Sequence, residues 1–359
     1  MSHTPFNVVI VGCGNISTAY GKTLQAHSAE VRIAGCHDVD PARAQLFARD
    51  HGGRAYPSLE AALADPAIDA IVNLTIHAAH VPVITAALQA GKHVLTEKPL
   101  ALDPAHAWAL VALAKSRNLV LSSAPTVALG EAQQTAIRAV RNGTLGPVKI
   151  VYGEMNWGRP EVWHPNPAPF YAVGAVFDVG VYPLMIATAA LGNITRVQAF
   201  DAAPMPERVA KDGTPFRAAR PEWTCALLHF ASGPLMRLTT AFYNHSKQAG
   251  LEFHGDKGSL LLPSNFEYHL PPEVQLWADG NEWKPLPLPR DPHKGCDWGR
   301  GVVELASAVR ESRQSRTSGE QAAHVVEVID AIHRSASSGS TPISLSRTFT
   351  LPPLMDWAK

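Results

Sequence analysis

The chain has 359 residues, 46% of them apolar, and its 31 lysines and arginines are balanced by 31 aspartates and glutamates, so its formal net charge is zero. This length and apolar content allow a sizeable core and two domains, whereas the neutral balance without a basic stripe excludes the usual nucleic-acid-binding classes. No apolar run in the sequence reaches membrane-spanning length, so we expect no membrane partner.

The amino-terminal residues and the cysteines bear on the cellular compartment. Residues Met1–Pro5 lack the charged-then-apolar pattern of a signal peptide. The four cysteines show no C-x-x-C spacing, which indicates reduced thiols. Together these features predict a cytoplasmic protein.

The first predicted element is a strand that runs into a glycine-rich turn. The β-branched run Val8–Val11 is followed by a variant of G-x-G-x-x-G with the small Ser17 at the third position. In such a turn Gly12 permits the tight reversal and Gly14 lets the backbone approach a pyrophosphate at the helix N-terminus. The pattern alone is weak, because glycine turns also simply join strands to helices. The cofactor-binding residues it predicts are Gly12, Gly14, Asn15 and Ile16.

An acidic residue after the second strand strengthens the prediction of a dinucleotide site. The run Val31–Cys36 ends near Asp38, about 20 residues beyond the turn, where a ribose-binding acid is expected. Asp38 would accept hydrogen bonds from the ribose diol and repel a 2′-phosphate. Because Val39 and Asp40 follow it rather than an arginine, NAD is predicted in preference to NADP. Alternatively either aspartate only caps the helix that begins at Pro41; we assign the cap to Asp40 and the ribose to Asp38.

Short apolar strands and helical patterns alternate up to residue 123. This rhythm predicts a doubly wound parallel sheet, an NAD-binding Rossmann domain over residues 1–123. Further strands are predicted at Asp69–Thr75, His93–Thr96 and Leu119–Leu121, and helices at Pro41–His51, from Ser58, at Val81–Ala90 and from Pro104 to Arg117.

The rhythm changes after residue 124. Helices are predicted at 129–142, 174–191, 298–311 and 319–335, with strands at 148–157, 197–201, 224–230, 235–242 and 251–253 and a loop rich in proline between 157 and 174. Consecutive strands predict an α+β domain with an open, mostly antiparallel sheet over residues 124–359, for substrate binding and oligomerisation. The second face of such a sheet must be covered, so we expect a homodimer or homotetramer.

Four motifs together resemble one enzyme family. They are the glycine-rich turn, the strand-end loop Thr75–His80, the tripeptide Glu97-Lys98-Pro99 after Ala90–Val94, and the segment Asp178–Pro183. In this order and spacing, over essentially the whole chain, they resemble the glucose-fructose oxidoreductase, inositol dehydrogenase and MocA family. The resemblance implies an NAD(P)-dependent oxidoreductase acting on a CH–OH group of a carbohydrate or cyclitol.

The tripeptide supplies the first candidate catalytic residue. A lysine at the carboxyl end of a parallel strand provides a fixed positive charge that can stabilise an alkoxide as hydride leaves. The resemblance gives this role, and a part in cofactor and substrate binding, to Lys98. Glu97 is expected to bind cofactor or to hold Lys98. The alternative is a surface lysine in a strand-exit turn.

The loop after the preceding strand is expected near the cofactor. By the resemblance Thr75, His77 and His80 belong to the cofactor site. Two histidines three residues apart could suggest a metal pair, but no third ligand pattern accompanies them, so we expect no metal.

Asp178 and Tyr182 are the remaining catalytic and substrate-binding candidates. Residues four apart in one helix face the same way, towards Lys98 if the helix is so placed. The family pattern has histidine at the second position, so Tyr182 leaves open which group is the base. A phenol with an unperturbed pKa of about 10 needs a positive neighbour to act near neutrality. The alternative is a helix-capping aspartate and a packed tyrosine.

Two loop residues complete the predicted substrate site. Trp163 and His164 could stack on a sugar ring and bind its hydroxyls, although a loop tryptophan is equally a packing anchor. The predicted function is hydride transfer between a secondary hydroxyl of a sugar, sugar derivative or cyclitol and NAD. The alternatives are a redox-neutral glycoside hydrolase or lyase with tightly bound NAD, and a non-catalytic NAD-binding sensor.

Overall fold

The computed structural model describes residues 5–359 in two compact units. The first unit comprises residues 5–129 and 297–323, and the second comprises residues 130–296 and 324–359. This division differs from the predicted boundary after residue 123 chiefly because residues 297–323 return to the first unit.

Strands and helices alternate along the first segment of the chain, as its sequence predicts. The elements are β1 (Phe6–Val11), α1 (Asn15–Gln25), β2 (Val31–His37), α2 (Pro41–His51), β3 (Arg54–Ala55), α3 (Leu59–Leu63), β4 (Ala70–Asn73), α4 (His77–Gln89), β5 (His93–Thr96), α5 (Pro104–Ser116) and β6 (Leu121–Ser123).

These strands form a parallel sheet that confirms the predicted Rossmann architecture. Within residues 5–359 its six strands run in the order β3-β2-β1-β4-β5-β6, and every pair is parallel. The carboxyl ends of all six strands therefore lie at one edge, where ligands bind in open α/β sheets. The residues that follow β1, β2, β4 and β5 are brought to this edge.

The second unit begins with helix and then changes to a sheet of long strands. Its elements up to residue 296 are α6 (Glu131–Arg141), β7 (Val148–Asn156), α7 (Pro160–Trp163), α8 (Ala168–Val173), a π-helical turn (Val176–Gly180), α9 (Val181–Leu191), β8 (Ile194–Ala202), β9 (Glu207–Val209), β10 (Pro215–Arg217), β11 (Trp223–Phe230), β12 (Leu235–Ala241), β13 (Gly250–Gly255), β14 (Gly258–Leu262), β15 (Glu273–Leu276) and β16 (Lys284–Pro285).

The returning segment completes the core of the first unit. It contains α10 (Arg300–Arg310) and the first five residues of α11 (Gly319–Ser337), and the rest of α11 and β17 (Ile343–Ser344) belong to the second unit. Val302 and Leu305 of α10 are fully buried in the same apolar cluster as Val8 and Ile10 of β1. An amphipathic helix pattern shows that a face must be buried but not which unit buries it, which explains the difference from the predicted boundary.

The sheet of the second unit confirms the predicted open, mostly antiparallel arrangement. In the described chain its nine strands run in the order β16-β15-β14-β13-β7-β12-β11-β8-β17, and only β7 and β12 pair in parallel. The predicted proline-rich loop contains the two short helices α7 and α8, and the poorly patterned stretch after it contains the hairpin β9–β10.

Residues 5–359 lack two features, a membrane-spanning helix and a cluster of metal ligands. No helix in this part of the chain has both the length and the apolar character needed to span a bilayer. The same residues contain no group of three His, Cys, Asp or Glu side chains arranged to hold a metal ion. The signal-peptide interpretation depends on residues 1–5, of which 1–4 lie outside the described residues, so the compartment stays a prediction.

A buried histidine in α11 predicts loss of stability in acid. His324 is fully buried, and its Nε2 accepts a 3.0 Å hydrogen bond from the Ile194 N–H, so the ring is neutral. Burial lowers the pKa of His324 to about 4, below the unfolded value of about 6.5. As pH falls, the unfolded chain therefore binds a proton at this histidine before the folded chain does. The free energy of unfolding is highest above pH 6.5 and decreases as pH falls towards 4, and this group accounts for a loss of up to about 3 kcal/mol.

His324→Gln tests this expectation, because a glutamine carbonyl can still accept the Ile194 hydrogen bond but does not titrate. Urea unfolding at pH 7.5 and pH 5 should show a smaller acid-induced loss in the variant than in the wild type. His245→Gln, at an exposed histidine of the second unit, should leave the acid-induced loss unchanged. An equal loss in wild type and His324→Gln would contradict the assignment.

Candidate active site

The turn after β1 forms an open cradle at the start of α1. Gly12 has a φ of +93°, and a Cβ there would lie 2.7 Å from the carbonyl carbon of Leu74, so this position requires glycine. In contrast, a Cβ on Gly14, the N-cap of α1, would have no described atom within 4 Å. Asn15 and Ile16 follow as the first helical residues, and no described side chain caps them. This open helix N-terminus fits the pyrophosphate of a dinucleotide.

Asp38 lies beside the same turn and is held in a fixed orientation. Its Oδ2 accepts a 2.7 Å hydrogen bond from the Cys13 N–H, and its Oδ1 accepts a 2.9 Å bond from the Asp40 N–H. The helix cap is supplied by Asp40, whose Oδ1 accepts from the Ala42 N–H at 2.9 Å. The structure therefore assigns the cap as the sequence predicts. The partly exposed carboxylate of Asp38 retains lone pairs for ribose hydroxyls.

The loop after β4 carries Thr75, His77 and His80. The Thr75 hydroxyl donates a 2.7 Å hydrogen bond to Asn73 Oδ1, which fixes the start of the loop. His77 begins α4 and is partly exposed, whereas His80 is fully buried. The His80 Nδ1 lies 2.7 Å from the Pro99 carbonyl oxygen and its Nε2 lies 3.1 Å from the Thr75 carbonyl oxygen. Both ring nitrogens thus contact protein carbonyls.

Glu97 and Lys98 follow β5 at the same sheet edge. Glu97 is buried, and its Oε2 accepts a 3.1 Å hydrogen bond from the Lys98 N–H. Its Oε1 accepts a 2.8 Å bond from the hydroxyl of Tyr20 in α1. Of the two roles considered for Glu97, this geometry supports holding Lys98. The Lys98 side chain is partly exposed, and the Lys98–Pro99 peptide bond is cis.

Tyr20 is absent from the residues singled out from the sequence. It lies on the buried face of α1, whose members are Ser17, Tyr20, Gly21 and Leu24. A tyrosine on the buried face of a helix needs a hydrogen-bond partner for its hydroxyl. The helical spacing therefore contained a signal that Tyr20 has a polar partner, although it could not identify Glu97.

In the second unit, Asp178 and Tyr182 lie on one continuous segment but not in one regular α-helix. Asp178 belongs to the π-helical turn Val176–Gly180, and Tyr182 is in the first turn of α9. The predicted helix from residue 174 is thus replaced at its start by a wider turn, of a kind frequent at functional sites. A Cβ on Gly180 would lie 3.2 Å from Thr240 Cγ2, so glycine lets the turn pack closely on β12. Both candidate side chains are largely buried, at 7% exposure.

Tyr182 lies at one end of a row of three aromatic rings. Its ring centroid is 4.4 Å from that of Phe266, which in turn is 5.4 Å from that of Trp157. Trp157 is 38% exposed, so the row reaches the surface of the unit. Aromatic faces of this kind pack against the C–H face of a sugar ring or another cyclic molecule.

Trp163 and His164 lie at the end of α7, in the predicted loop. The Trp163 ring contacts those of His164 and Phe170 at 5.5 and 5.4 Å, and its side chain is 44% exposed. His164 Nδ1 accepts a 3.1 Å hydrogen bond from the Asn166 N–H. Trp163 therefore has the packing contacts of an anchor and an exposed ring that a ligand could cover.

A buried cluster of charged side chains includes Glu161 of this loop. Arg208 has no exposed surface and pairs with Glu161 of α7 at 2.7 Å and with Glu222 at 3.0 Å. The Tyr171 hydroxyl also donates to Glu161. Burial alone would raise the pKa of Glu161, but the hydrogen bonds from Tyr171 and Arg208 hold it below its ordinary value. Arg208 was not identified from the sequence, because its stretch carries no regular pattern.

Two family models match the chain in order. A model described as the oxidoreductase family with an NAD-binding Rossmann fold, GFO/IDH/MocA, matches residues 6–124. The GFO/IDH/MocA C-terminal domain model matches residues 133–261. The two matches correspond to the amino-terminal part of the first unit and to the greater part of the second.

Curated relatives include two kinds of enzyme. The chain is 36% identical over 170 residues to dTDP-3,4-didehydro-2,6-dideoxy-alpha-D-glucose 3-reductase of Streptomyces antibioticus. This alignment spans 47% of this chain and 51% of that protein. It is 26% identical over 310 residues to trans-1,2-dihydrobenzene-1,2-diol dehydrogenase of Sus scrofa, spanning 84% and 86% of the two chains. The first alignment thus covers about half of the relative's length.

A solved structure shows the same fold. Levoglucosan dehydrogenase in complex with NADH and levoglucosan superposes with a TM-score of 0.82 at 20% identity, covering 95% of this chain and 99% of that one. At this identity the likeness establishes the fold and not the substrate.

Proposed function

The chain belongs to the GFO/IDH/MocA family of oxidoreductases with an NAD-binding Rossmann fold, and from this membership we propose an NAD-dependent dehydrogenase or reductase. Its substrate is a secondary hydroxyl, or the corresponding ketone, of a sugar, sugar derivative or cyclitol. The observation that carries the proposal is the position of Lys98. It lies two residues after the end of β5, at the sheet edge that also holds the glycine-rich turn and Asp38.

The cofactor assignment follows from the residues at this edge. In the proposal Gly12, Gly14, Asn15 and Ile16 bind the pyrophosphate, and Asp38 binds the ribose diol. The Asp38 carboxylate disfavours a 2′-phosphate, so NAD is preferred to NADP. Thr75, His77, His80, Glu97 and Lys98 complete the cofactor site, with His80 and Glu97 acting through other residues. When bound, NAD supplies the carbon that accepts or returns the hydride.

The chain itself supplies a positive charge and a group that accepts a proton. Lys98 carries a positive charge that stabilises the alkoxide formed as the substrate hydroxyl loses its proton. Tyr182, or Asp178 through it, takes that proton. A phenol becomes an effective base near neutrality when a cation lowers its pKa.

The aromatic residues of the second unit determine which molecules bind. Trp163 and His164 are proposed to contact the substrate ring and its hydroxyls, together with Asp178 and Tyr182. The names of the relatives, a sugar-nucleotide reductase and a cyclic diol dehydrogenase, support a cyclic substrate with neighbouring oxygen groups.

A second copy of the chain is the proposed partner for the open face of the larger sheet. Tyr152, Leu227 and Phe200 lie on this face with 37%, 38% and 60% of their surfaces exposed. Exposed apolar side chains on one sheet face favour association, so the protein is proposed to be a homodimer or homotetramer.

The function is tested by screening sugars, deoxy sugars, cyclitols, cyclic diols and aryl glycosides with NAD and with NADP while recording absorbance at the NADH band. Bound nucleotide is released from the purified protein and identified in parallel. We expect steady NADH production with one class of cyclic hydroxyl compound, and faster turnover with NAD than with NADP. Glycoside cleavage without net NADH, or binding without turnover, would contradict the proposed dehydrogenase.

A further inference from the structure

We propose that Tyr20 and His80 are positioning residues that hold the backbone on the two sides of Lys98. The inference rests on the proposed function, in which Lys98 stabilises the alkoxide. Neither side chain needs to touch cofactor or substrate, because each is fully buried within the first unit. Each acts through a hydrogen bond to a residue adjacent to Lys98.

Tyr20 acts on the amino-terminal side. Its hydroxyl donates a 2.8 Å hydrogen bond to Glu97 Oε1, while Glu97 Oε2 accepts from the Lys98 N–H at 3.1 Å. The carboxylate is thus held by one oxygen and holds Lys98 by the other. Loss of the Tyr20 hydroxyl would leave a buried carboxylate oxygen without this donor, and the carboxylate would be free to rotate away from the Lys98 N–H.

His80 acts on the carboxyl-terminal side. Carbonyl oxygens face both of its nitrogens, that of Pro99 at 2.7 Å and that of Thr75 at 3.1 Å. Burial lowers the pKa of His80, so the ring is neutral near pH 7 and has one N–H to donate. We assign this N–H to Nδ1, because the Pro99 oxygen is the nearer acceptor. His80 therefore ties the residue after Lys98 to α4.

The two bonds connect Lys98 to the elements that carry the proposed cofactor site. Tyr20 lies in α1, which begins at the glycine-rich turn, and His80 lies in α4, which follows the Thr75 loop. A displacement of about 1 Å at a reacting group can cost about 10²-fold in rate. Fixing the backbone of Lys98 to both elements therefore places its ammonium group relative to bound cofactor.

The test for Tyr20 compares two tyrosines that each donate to a carboxylate. Tyr20→Phe removes the hydroxyl bonded to Glu97, and Tyr56→Phe removes a hydroxyl that donates to Asp65 Oδ2 at 2.7 Å in the same unit. We expect Tyr20→Phe to raise the amide hydrogen-exchange rate of Lys98 and to lower kcat, each by about 10-fold, with the dissociation constant of NAD changed less than about 3-fold. Tyr56→Phe should lose as much thermal stability as Tyr20→Phe, whereas the Lys98 exchange rate and kcat should remain unchanged.

The test for His80 uses asparagine and glutamine, because the amide of each can occupy the position of one of the two ring nitrogens. An asparagine amide can replace Nδ1 and keep the Pro99 bond, whereas a glutamine amide reaches the Nε2 position and the Thr75 carbonyl instead. His80→Asn should therefore retain kcat better than His80→Gln, by about 5-fold or more. His93→Asn, at the opposite end of β5, should leave kcat unchanged.

The outcomes separate this inference from the proposed function. The positioning role is wrong if Tyr20→Phe, like Tyr56→Phe, leaves the Lys98 amide exchange rate and kcat unchanged. It is also wrong if His80→Gln is as active as His80→Asn. If the wild-type protein has no dehydrogenase activity, the proposed function fails. The Lys98 amide exchange rate, measured in Tyr20→Phe and in His80→Gln against His80→Asn, then still decides whether the two residues hold its backbone.

Discussion

The Lys98→Ala variant is expected to retain NAD binding, with a lower affinity because Lys98 belongs to the proposed cofactor site, and to turn over its substrate about 10²- to 10³-fold more slowly than the wild-type protein. Lys98 is partly exposed at the carboxyl edge of the parallel sheet, and its backbone is held by the buried Glu97. A charge held in this way is already oriented before the alkoxide forms, so its loss falls on the chemical step. NADH formation measures kcat, and calorimetry measures the dissociation constant of NAD.

The matched control for this variant is Lys115→Ala, at an exposed lysine of α5 in the same unit. It removes the same charge and the same number of atoms from the unit, and both kcat and NAD binding should remain unchanged. Near-normal turnover by Lys98→Ala with cofactor bound would show that the lysine has no catalytic role.

The second large effect is expected for Tyr182→Phe, which should lower kcat by at least about 10²-fold. Removing the hydroxyl removes the group proposed to take the substrate proton, while the ring can keep its contact with Phe266 at 4.4 Å. Steady-state kinetics separate the two roles left open for this residue. A loss confined to KM would make Tyr182 a substrate anchor, and the base would then be sought at Asp178.

Tyr268→Phe provides the comparison for a buried tyrosine of the second unit. Its hydroxyl lies 3.7 Å from the Cys296 thiol, and its removal should leave kcat unchanged. If Tyr182→Phe and Tyr268→Phe have the same small effect, Tyr182 is a packed aromatic, as the alternative interpretation of the sequence holds.

Local signals predicted the elements whose boundaries depend on nearby residues. Asp40 and Pro41 begin α2, and its predicted span agrees with the structure because the cap bond is formed two residues away. The strand His93–Thr96 is also as predicted, since it lies between a positive-φ glycine, Gly91, and the buried Glu97. In the first unit, the predicted cofactor residues lie at one edge because parallel strands must end together.

The elements that were missed depend on distant contacts. The π-helical turn at Asp178 replaces regular helix where Gly180 lets the turn approach Thr240 of β12. The hairpin β9–β10 carries Arg208, whose carboxylate partners lie 47 and 14 residues away. A charged residue in an irregular stretch gives no sign in the sequence that it will be buried, because burial requires partners that the fold brings to it.

By itself the sequence determined the family of the fold, the glycine-rich turn, the capping of α2 by Asp40, and the position of Lys98 after a buried strand. These follow from periodicity, capping and motif spacing, which act over a few residues. Tertiary structure decided that residues 297–323 complete the first unit, that Glu97 faces both Tyr20 and the Lys98 N–H, and that both nitrogens of His80 face carbonyls. The reason is that a buried polar group must find its hydrogen-bond partner in space, and that partner is defined only when the chain has folded.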